Sequence, residues 1–398
     1  MNLGYKLRQD FPIFKNGICY LDSGASSQKP QSVIDKQNYY TQEVYANVHR
    51  ATYTFSQKIT DAYEKSREKI ASLINVDPNE VIFTKSATES INLVAHSFGS
   101  IIPSGSEIII SEMEHHSNIV PWQLLKNRKD ISLKIIPVLD NGELNYDEYE
   151  KLLTNKTALV AITHISNVLG TIVDLDKIVS SAKKYNAKVL VDGSQAIMHQ
   201  KVDVKKLGVD FYAFTGHKLY APTGVGVLWG KSDILNAMPP FLGGGDMIDT
   251  VSFEKTTFAE IPAKFEAGTP PIVSAICLGE AIDYILNVGL DKINEYEKYL
   301  YKYAFDKITK IKGVRVIGVV ENKAPILSFV VEGVHSYDIA ELLNNENVCI
   351  RVGHHCAEPL MHRFNLLSTI RASFAFYNTI DDIDLFIFSL KKSLRILG

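Results

Sequence analysis

The sequence predicts an α/β protein: a mostly parallel sheet between helices, joined to a smaller α+β unit. Three observations predict it. Between about residues 60 and 230, short apolar runs alternate with amphipathic stretches of helix length, as in a sheet covered on both faces. From about residue 274 the pattern changes, and long amphipathic stretches precede short strands. The chain has 398 residues, enough for about two to three domains. Residues 20–270 are expected to form the large domain. Residues 1–19 and 271–398 are expected to form the small one. Gly243-Gly244-Gly245 and Gly268-Thr269-Pro270-Pro271 punctuate the region between them.

The elements follow in order. Val81-Ile82-Phe83-Thr84 reads as a strand, and Ile91, Val94, Ala95 and Phe98 after it lie on one side of a helix. Further strands are expected over 107–110, 133–138, 158–163, 188–191, 211–214 and 226–229. In the second unit helices are expected over 274–286 and 290–311, strands over 314–317 and 326–331, a helix near 336–344 and a closing helix over 381–394. No 20–50-residue repeat and no low-complexity segment is visible.

Composition excludes several function classes. Hydrophobic residues make up 46%, charged residues 22%, and the net charge is −3. There is no basic excess for nucleic acid and no like-charge tail. No window approaches the ~18 uninterrupted apolar residues of a membrane helix. The start, Met1 to Asp10, lacks the apolar core of a secretory signal. A cytoplasmic protein with reduced thiols is expected, because its four cysteines are widely spaced and form no C-x-x-C pair. Cys19, Cys277 and Cys349 have apolar neighbours and read as core. Cys356 differs, with Arg351, His354 and His355 close in sequence.

In an open α/β sheet ligands bind beyond the carboxyl ends of the strands. Five successive apolar runs here are followed by polar, chemically competent residues: Lys85 to Glu89, Glu114 to Asn118, His164 to Asn167, Asp192 to Gln195, and Thr215 to Lys218. The amides and hydroxyl around Thr88, opening a helix, suit a phosphate. Asp192 and Lys218 follow consecutive strands and can face one ligand. Pyridoxal phosphate requires that pair: a lysine for the Schiff base, and an acid on the pyridinium nitrogen that lets the ring drain electrons from a substrate carbon.

Three segments carry a family resemblance: Val191-Asp192-Gly193-Ser194-Gln195, Thr215-Gly216-His217-Lys218 and Arg351-Val352-Gly353-His354-His355-Cys356-Ala357. With Glu112 to Trp122 and Phe265 to Pro270, the chain resembles the class V aminotransferase-like enzymes. Within them it is similar to the group II (SufS-type) cysteine desulfurases, which include selenocysteine lyases. The resemblance runs from Tyr20 to the end, nearly the whole chain. It implies a fold type I pyridoxal-phosphate enzyme that turns L-cysteine into L-alanine and parks the sulfur on Cys356 as a persulfide. Lys218 would carry the cofactor, Asp192 would pair with its ring nitrogen and Gln195 with its hydroxyl oxygen. His115 would stack on the ring and relay protons. Thr88, Thr215 and His217 would hold the phosphate, with Thr269 supplied by the second subunit of a homodimer. Asn167 and Arg371 would bind the substrate carboxylate, and Arg351 would lie beside it. A small sulfur-carrier protein serving iron–sulfur cluster assembly is the implied acceptor. Gly24, Ala51 and Tyr53 depart from the usual pattern, which has Ala, Gly and His.

Other readings stand beside these. His354, His355, Cys356 and His362 offer zinc donors. Thr88 could be a plain helix cap, Arg371 a surface ion pair, and Gly243 to Gly245 a phosphate loop, although no G-K-[ST] follows. Of His115 and His116 only one can face the ring. Arg351 and the histidines beside Cys356 would favour its thiolate, whose ordinary pKa is about 8.5. A selenocysteine-preferring lyase, an aminotransferase, or a non-catalytic scaffold of the same fold are the rival functions.

Overall fold

The structure is a computed structural model that describes residues 2–397. A two-residue strand, Cys19–Tyr20 (β1), precedes the large sheet. That sheet contains Val81–Thr84 (β2), Ser106–Ser111 (β3), Ile131–Ile136 (β4), Thr157–Thr163 (β5), Lys188–Asp192 (β6), Phe211–Thr215 (β7) and Gly226–Gly230 (β8). Its spatial order is β2-β8-β7-β6-β5-β3-β4. The run from β7 to β4 is parallel, and β8 is antiparallel to both β7 and β2. Residues 216–225 join β7 to β8 without a helix. A parallel crossover needs a dozen or more residues, so this link can only reverse the chain. Two reversals return β2 to the direction of β7, and the carboxyl ends of β2, β3, β5, β6 and β7 lie along one edge.

β7 and β8 are buried at every position and β5 and β6 at all but one, which explains their apolar runs. The edge strand β4 is buried only at its ends, Ile131 and Ile136. It spans Ile131–Ile136, two residues earlier than expected, and stops before Pro137, which has no N–H for the ladder.

The exposed hairpin Ile248–Val251 (β9) and Thr256–Phe258 (β10) follows. The second unit holds Val314–Ile317 (β11), Ile326–Val331 (β12), Val348–Cys349 (β13), Arg351–Gly353 (β14) and Thr369–Ser373 (β15). Four of these make an antiparallel sheet in the order β11-β12-β15-β14, while β13 pairs with β1. The pairing of β1 joins the N-terminal segment to this unit. Helix Ile272–Val288 lies on helices Gln31–Gln42 and Thr54–Ile74 of the large layer. The last contact needs Gly279, whose Cβ would fall 2.5 Å from Ser66 Oγ. The closing helix is Ile380–Leu397, and no single helix among the described residues is long and apolar enough to cross a membrane.

Candidate active site

One cavity of about 270 Å³ opens at the shared strand edge, against β14 and β15 of the second unit. That is near the lower end for small-molecule sites, roughly 300–1,000 Å³. Eleven of the twelve expected residues line it, contributed by both units; Thr269 is the exception. Thr269 is exposed and lies by Phe83, Lys85 and Leu242 instead.

Asp192 ends β6 and its Oδ1 accepts from the Ser194 N–H at 3.0 Å, which holds the carboxylate at the strand end. Lys218 follows β7. Burial pushes its amine down to about 8, and the charge of Arg371 adds to this while Asp192 opposes it. Gln195 donates through Nε2 to the Gly24 carbonyl at 2.7 Å, which leaves its Oε1 buried without a partner.

His115, not His116, faces the cavity. Its Nδ1 accepts the Ser117 N–H at 3.1 Å, so the neutral ring carries its proton on Nε2. Burial, then the charge of Lys218, holds His115 down to about 4. The preceding residue, Glu114, is fully buried, bonded to Ser111 Oγ at 2.5 Å, Asn118 Nδ2 at 2.7 Å and the Thr163 N–H at 3.1 Å. Desolvation pushes that acid up to about 8. Burial therefore favours the neutral carboxyl of Glu114, which the sequence did not signal.

At the other end, helix Ala87–Ile101 points its N-terminus at the cavity behind the cap Ser86. Ser86 supplies the cap, and Thr88 Oγ1 instead meets Ser117 Oγ at 2.7 Å. Thr215 Oγ1 is buried and unpartnered. His217 Nδ1 lies 3.3 Å from Ser26 Oγ, and burial with the charge of Lys218 holds the ring down to about 4.

The second unit closes the cavity. Arg371 is buried, donating to the Asn167 carbonyl at 2.9 Å and to Asp22 at 3.1 Å, with its Nε unpartnered. A surface ion pair is thereby ruled out. Arg351 binds the same Asp22 through Nε and through Nη2 at 2.7 Å. It is committed to that carboxylate rather than to Cys356. In the chain Asp22 sits in a short Leu-Asp-Ser-Gly segment, and nothing there places it between two arginines.

Cys356 is exposed on the cavity rim, while Cys19 and Cys277 are buried and Cys349 is half-buried. His355 turns inward, with Nε2 3.0 Å from Thr369 Oγ1, and His354 Nδ1 accepts the Cys356 N–H at 3.2 Å. The neighbouring histidines thus diverge. No group of three metal donors converges among the described residues. Asn167 donates to the His355 carbonyl at 2.7 Å, so one of its amide hydrogens holds the thiol segment. Gly243 to Gly245 lie away from this cavity.

The donor set fits pyridoxal phosphate. Of ten buried side-chain polar atoms without partners among the described residues, those of Gln195, Thr215, His355 and Arg371 belong to residues lining this one cavity. Unpaired buried polar groups are costly, and the hydroxyl and phosphate of pyridoxal phosphate, with the carboxylate of an amino-acid substrate beside it, would satisfy such a wall.

The aminotransferase class-V model matches residues 19–386. A cysteine desulfurase of Wigglesworthia glossinidia brevipalpis is 46% identical over 401 residues, covering 98% of this chain and 98% of that protein. A probable cysteine desulfurase of Mycolicibacterium paratuberculosis is 43% identical over 97% of this chain, which spans only 57% of that longer protein. Among solved structures, the cysteine desulfurase CsdA (S-sulfonic acid) from Escherichia coli superposes with a TM-score of 0.94 at 36% identity, covering 99% of this chain and 98% of that one. The architecture is the fold type I scaffold, and the chain belongs to the class V aminotransferase family, beside the cysteine desulfurases.

Proposed function

We propose that the protein is a cysteine desulfurase that converts L-cysteine to L-alanine and receives the sulfur on Cys356. The observation that carries this reading is the position of Cys356: exposed, yet on the wall of the cavity that also holds Lys218 and Asp192. A transaminase needs no thiol there.

Pyridoxal phosphate, when bound, supplies the electron sink. Asp192 keeps a proton on the ring nitrogen. Thr88, Thr215 and His217, with the amides opening helix Ala87–Ile101, hold the phosphate. Arg371 grips the substrate carboxylate through its free Nε, with Arg351 and Asn167 beside it. The Lys218 amine, already pushed toward its free base by burial, takes the α-proton. His115, with Nε2 left free to carry its proton, would pack against the bound ring and pass protons there. The Cys356 thiolate attacks the substrate sulfur. An S–S bond forms, the C–S bond breaks, and its electron pair stays on carbon, which takes a proton and leaves as alanine.

The persulfide is then passed to a small carrier protein for iron–sulfur cluster assembly, in the cytoplasm. A homodimer would bring Thr269 of a second copy to the phosphate. Exposed Val251, Phe253 and Phe258 on the β9–β10 hairpin are apolar surface of the kind such an interface covers.

The test is incubation with L-cysteine, followed by alanine assay and mass spectrometry of the peptide containing Cys356. Alanine with added sulfur on that peptide is expected. Sulfur on Cys19 or Cys277, or no alanine, would remove the reading.

A further inference from the structure

His115 and His116 are adjacent but serve different parts of the molecule. The His115 ring faces the cavity, whereas His116 turns to the segment that carries Cys356. The His116 N–H donates to the Cys356 carbonyl at 2.6 Å. Its Nε2 accepts the Glu358 N–H at 3.1 Å. Its ring lies 5.6 Å from that of His354, whose Nδ1 accepts the Cys356 N–H. The His354 bond before the thiol residue and the two His116 bonds after it therefore bracket it together.

The bracket matters because the segment is strained. His355 and Cys356 have φ of 52° and 54°, the left-handed region that non-glycine residues adopt at a cost. Two consecutive residues there persist only if their surroundings hold them. Asn167 holds the His355 carbonyl, Thr369 holds the His355 ring, and His116 holds the Glu358 amide on the far side of the thiol. Glu358 opens helix Glu358–Arg363, and its N–H is one of the donors left without an intrahelical partner. His116 satisfies that donor.

We infer that His116 is a positioning residue for Cys356: its Nε2 and backbone N–H pin the thiol turn to the turn at 116–118 that follows β3, so that the sulfur acceptor and the His115 ring are set by consecutive residues. This rests on the proposed role of Cys356 as sulfur acceptor, but its structural part can be tested without turnover. His116 does not touch the cavity. Its effect should fall on the sulfur-transfer step and not on substrate binding.

The test compares His116→Leu, which cannot accept the Glu358 N–H, with His116→Gln, which can. Amide hydrogen exchange over residues 354–358 is measured in the cofactor-loaded protein. The Leu variant should exchange about five-fold faster there, the effect of losing roughly one hydrogen bond, and Gln should restore most of the protection. With cysteine, kcat should fall in the Leu variant with KM little changed, and recover in the Gln variant. Glu358→Pro deletes the same bond from the donor side, at a helix position that tolerates proline, and decides the matter if the Leu variant does not fold. Unchanged exchange at 354–357 in either variant, or failure of Gln to restore protection, overturns the assignment. If the exchange result holds while alanine is never formed, the positioning stands and the proposed activity fails.

Discussion

Asp22 lies between two arginines, accepting from Arg371 at 3.1 Å and from Arg351 at 2.7 Å. The Arg371 side chain is 2% exposed, so Asp22 supplies its only carboxylate among the described residues. Breaking a buried pair from one side leaves an uncompensated charge, at a cost of roughly 3–5 kcal/mol. Asp22→Asn keeps one acceptor oxygen and should lose about 3 kcal/mol of stability, read as a lower urea midpoint. An unchanged midpoint would mean that the arginines are held by other contacts.

Lys218 gives a pH-dependent signature in cofactor-free protein. Its folded-state pKa is pushed down to about 8, below an ordinary value of about 10.4. Between those values the unfolded chain binds the proton and the folded one does not, so stability rises with pH. Below about 8 both states are charged and the burial cost is present in full, about 3 kcal/mol at one unit per 1.36 kcal/mol. Lys218→Met keeps the aliphatic stem. It should be more stable than the parent at pH 7, with the gap closing toward pH 10, and it should have no turnover. Parallel denaturation curves across that range would contradict the burial of a charged amine.

Cys356→Ala separates the thiol from the rest of the cavity. The variant should bind pyridoxal phosphate with the parent's absorbance and lose alanine formation from cysteine. Cleavage of selenocysteine, whose selenium leaves more readily, should survive. Retained desulfuration of cysteine would show that Cys356 is not the acceptor.

Gly193 is fixed by its contact with the sheet. A Cβ there would lie 2.1 Å from the ring of Tyr212, which is fully buried. Gly193→Ala should overpack the site, cost about 1–3 kcal/mol and displace the adjoining Asp192. Pyridoxal phosphate should then dissociate more readily on dialysis than from the parent, with the secondary structure intact by circular dichroism.

Much of this arrangement was legible in the chain. Strand ends are readable because apolar runs stop where polar side chains begin, and Asp192, Lys218 and Thr215 sit at those points. The antiparallel placement of β8 was not legible, since a buried strand looks the same in either direction. Nor was the pairing of Asp22 with Arg351 and Arg371, residues more than 300 positions apart that only the docking of the two units brings together. The residue pattern by itself could not choose between His115 and His116, and only the family resemblance named His115. The choice depends on the turn at 116–118, which sends one ring to the cavity and the other to the Cys356 segment.

His115 should work as a neutral ring. Its Nδ1 already accepts an N–H, and burial with Lys218 nearby holds its pKa down to about 4. If the neutral form moves the protons, kcat/KM should show no loss from this group as pH falls through 6.5, the ordinary histidine value, and should lose activity only toward pH 4. His115→Ala should lower kcat by about 10²–10³, within the range of general acid–base catalysis, without an inflection near 6.5 disappearing from the profile. The same shift has a stability sign: between pH 6.5 and 4 the unfolded chain takes up a proton that the folded one refuses, so acid weakens the cofactor-free protein over that window, and His115→Ala should flatten the slope. Ring-labelled histidine NMR at pH 5.5 provides the direct measurement. A charged His115 at that pH would place the proton on Nδ1 as well, break its bond to Ser117, and require a different group to serve the ring.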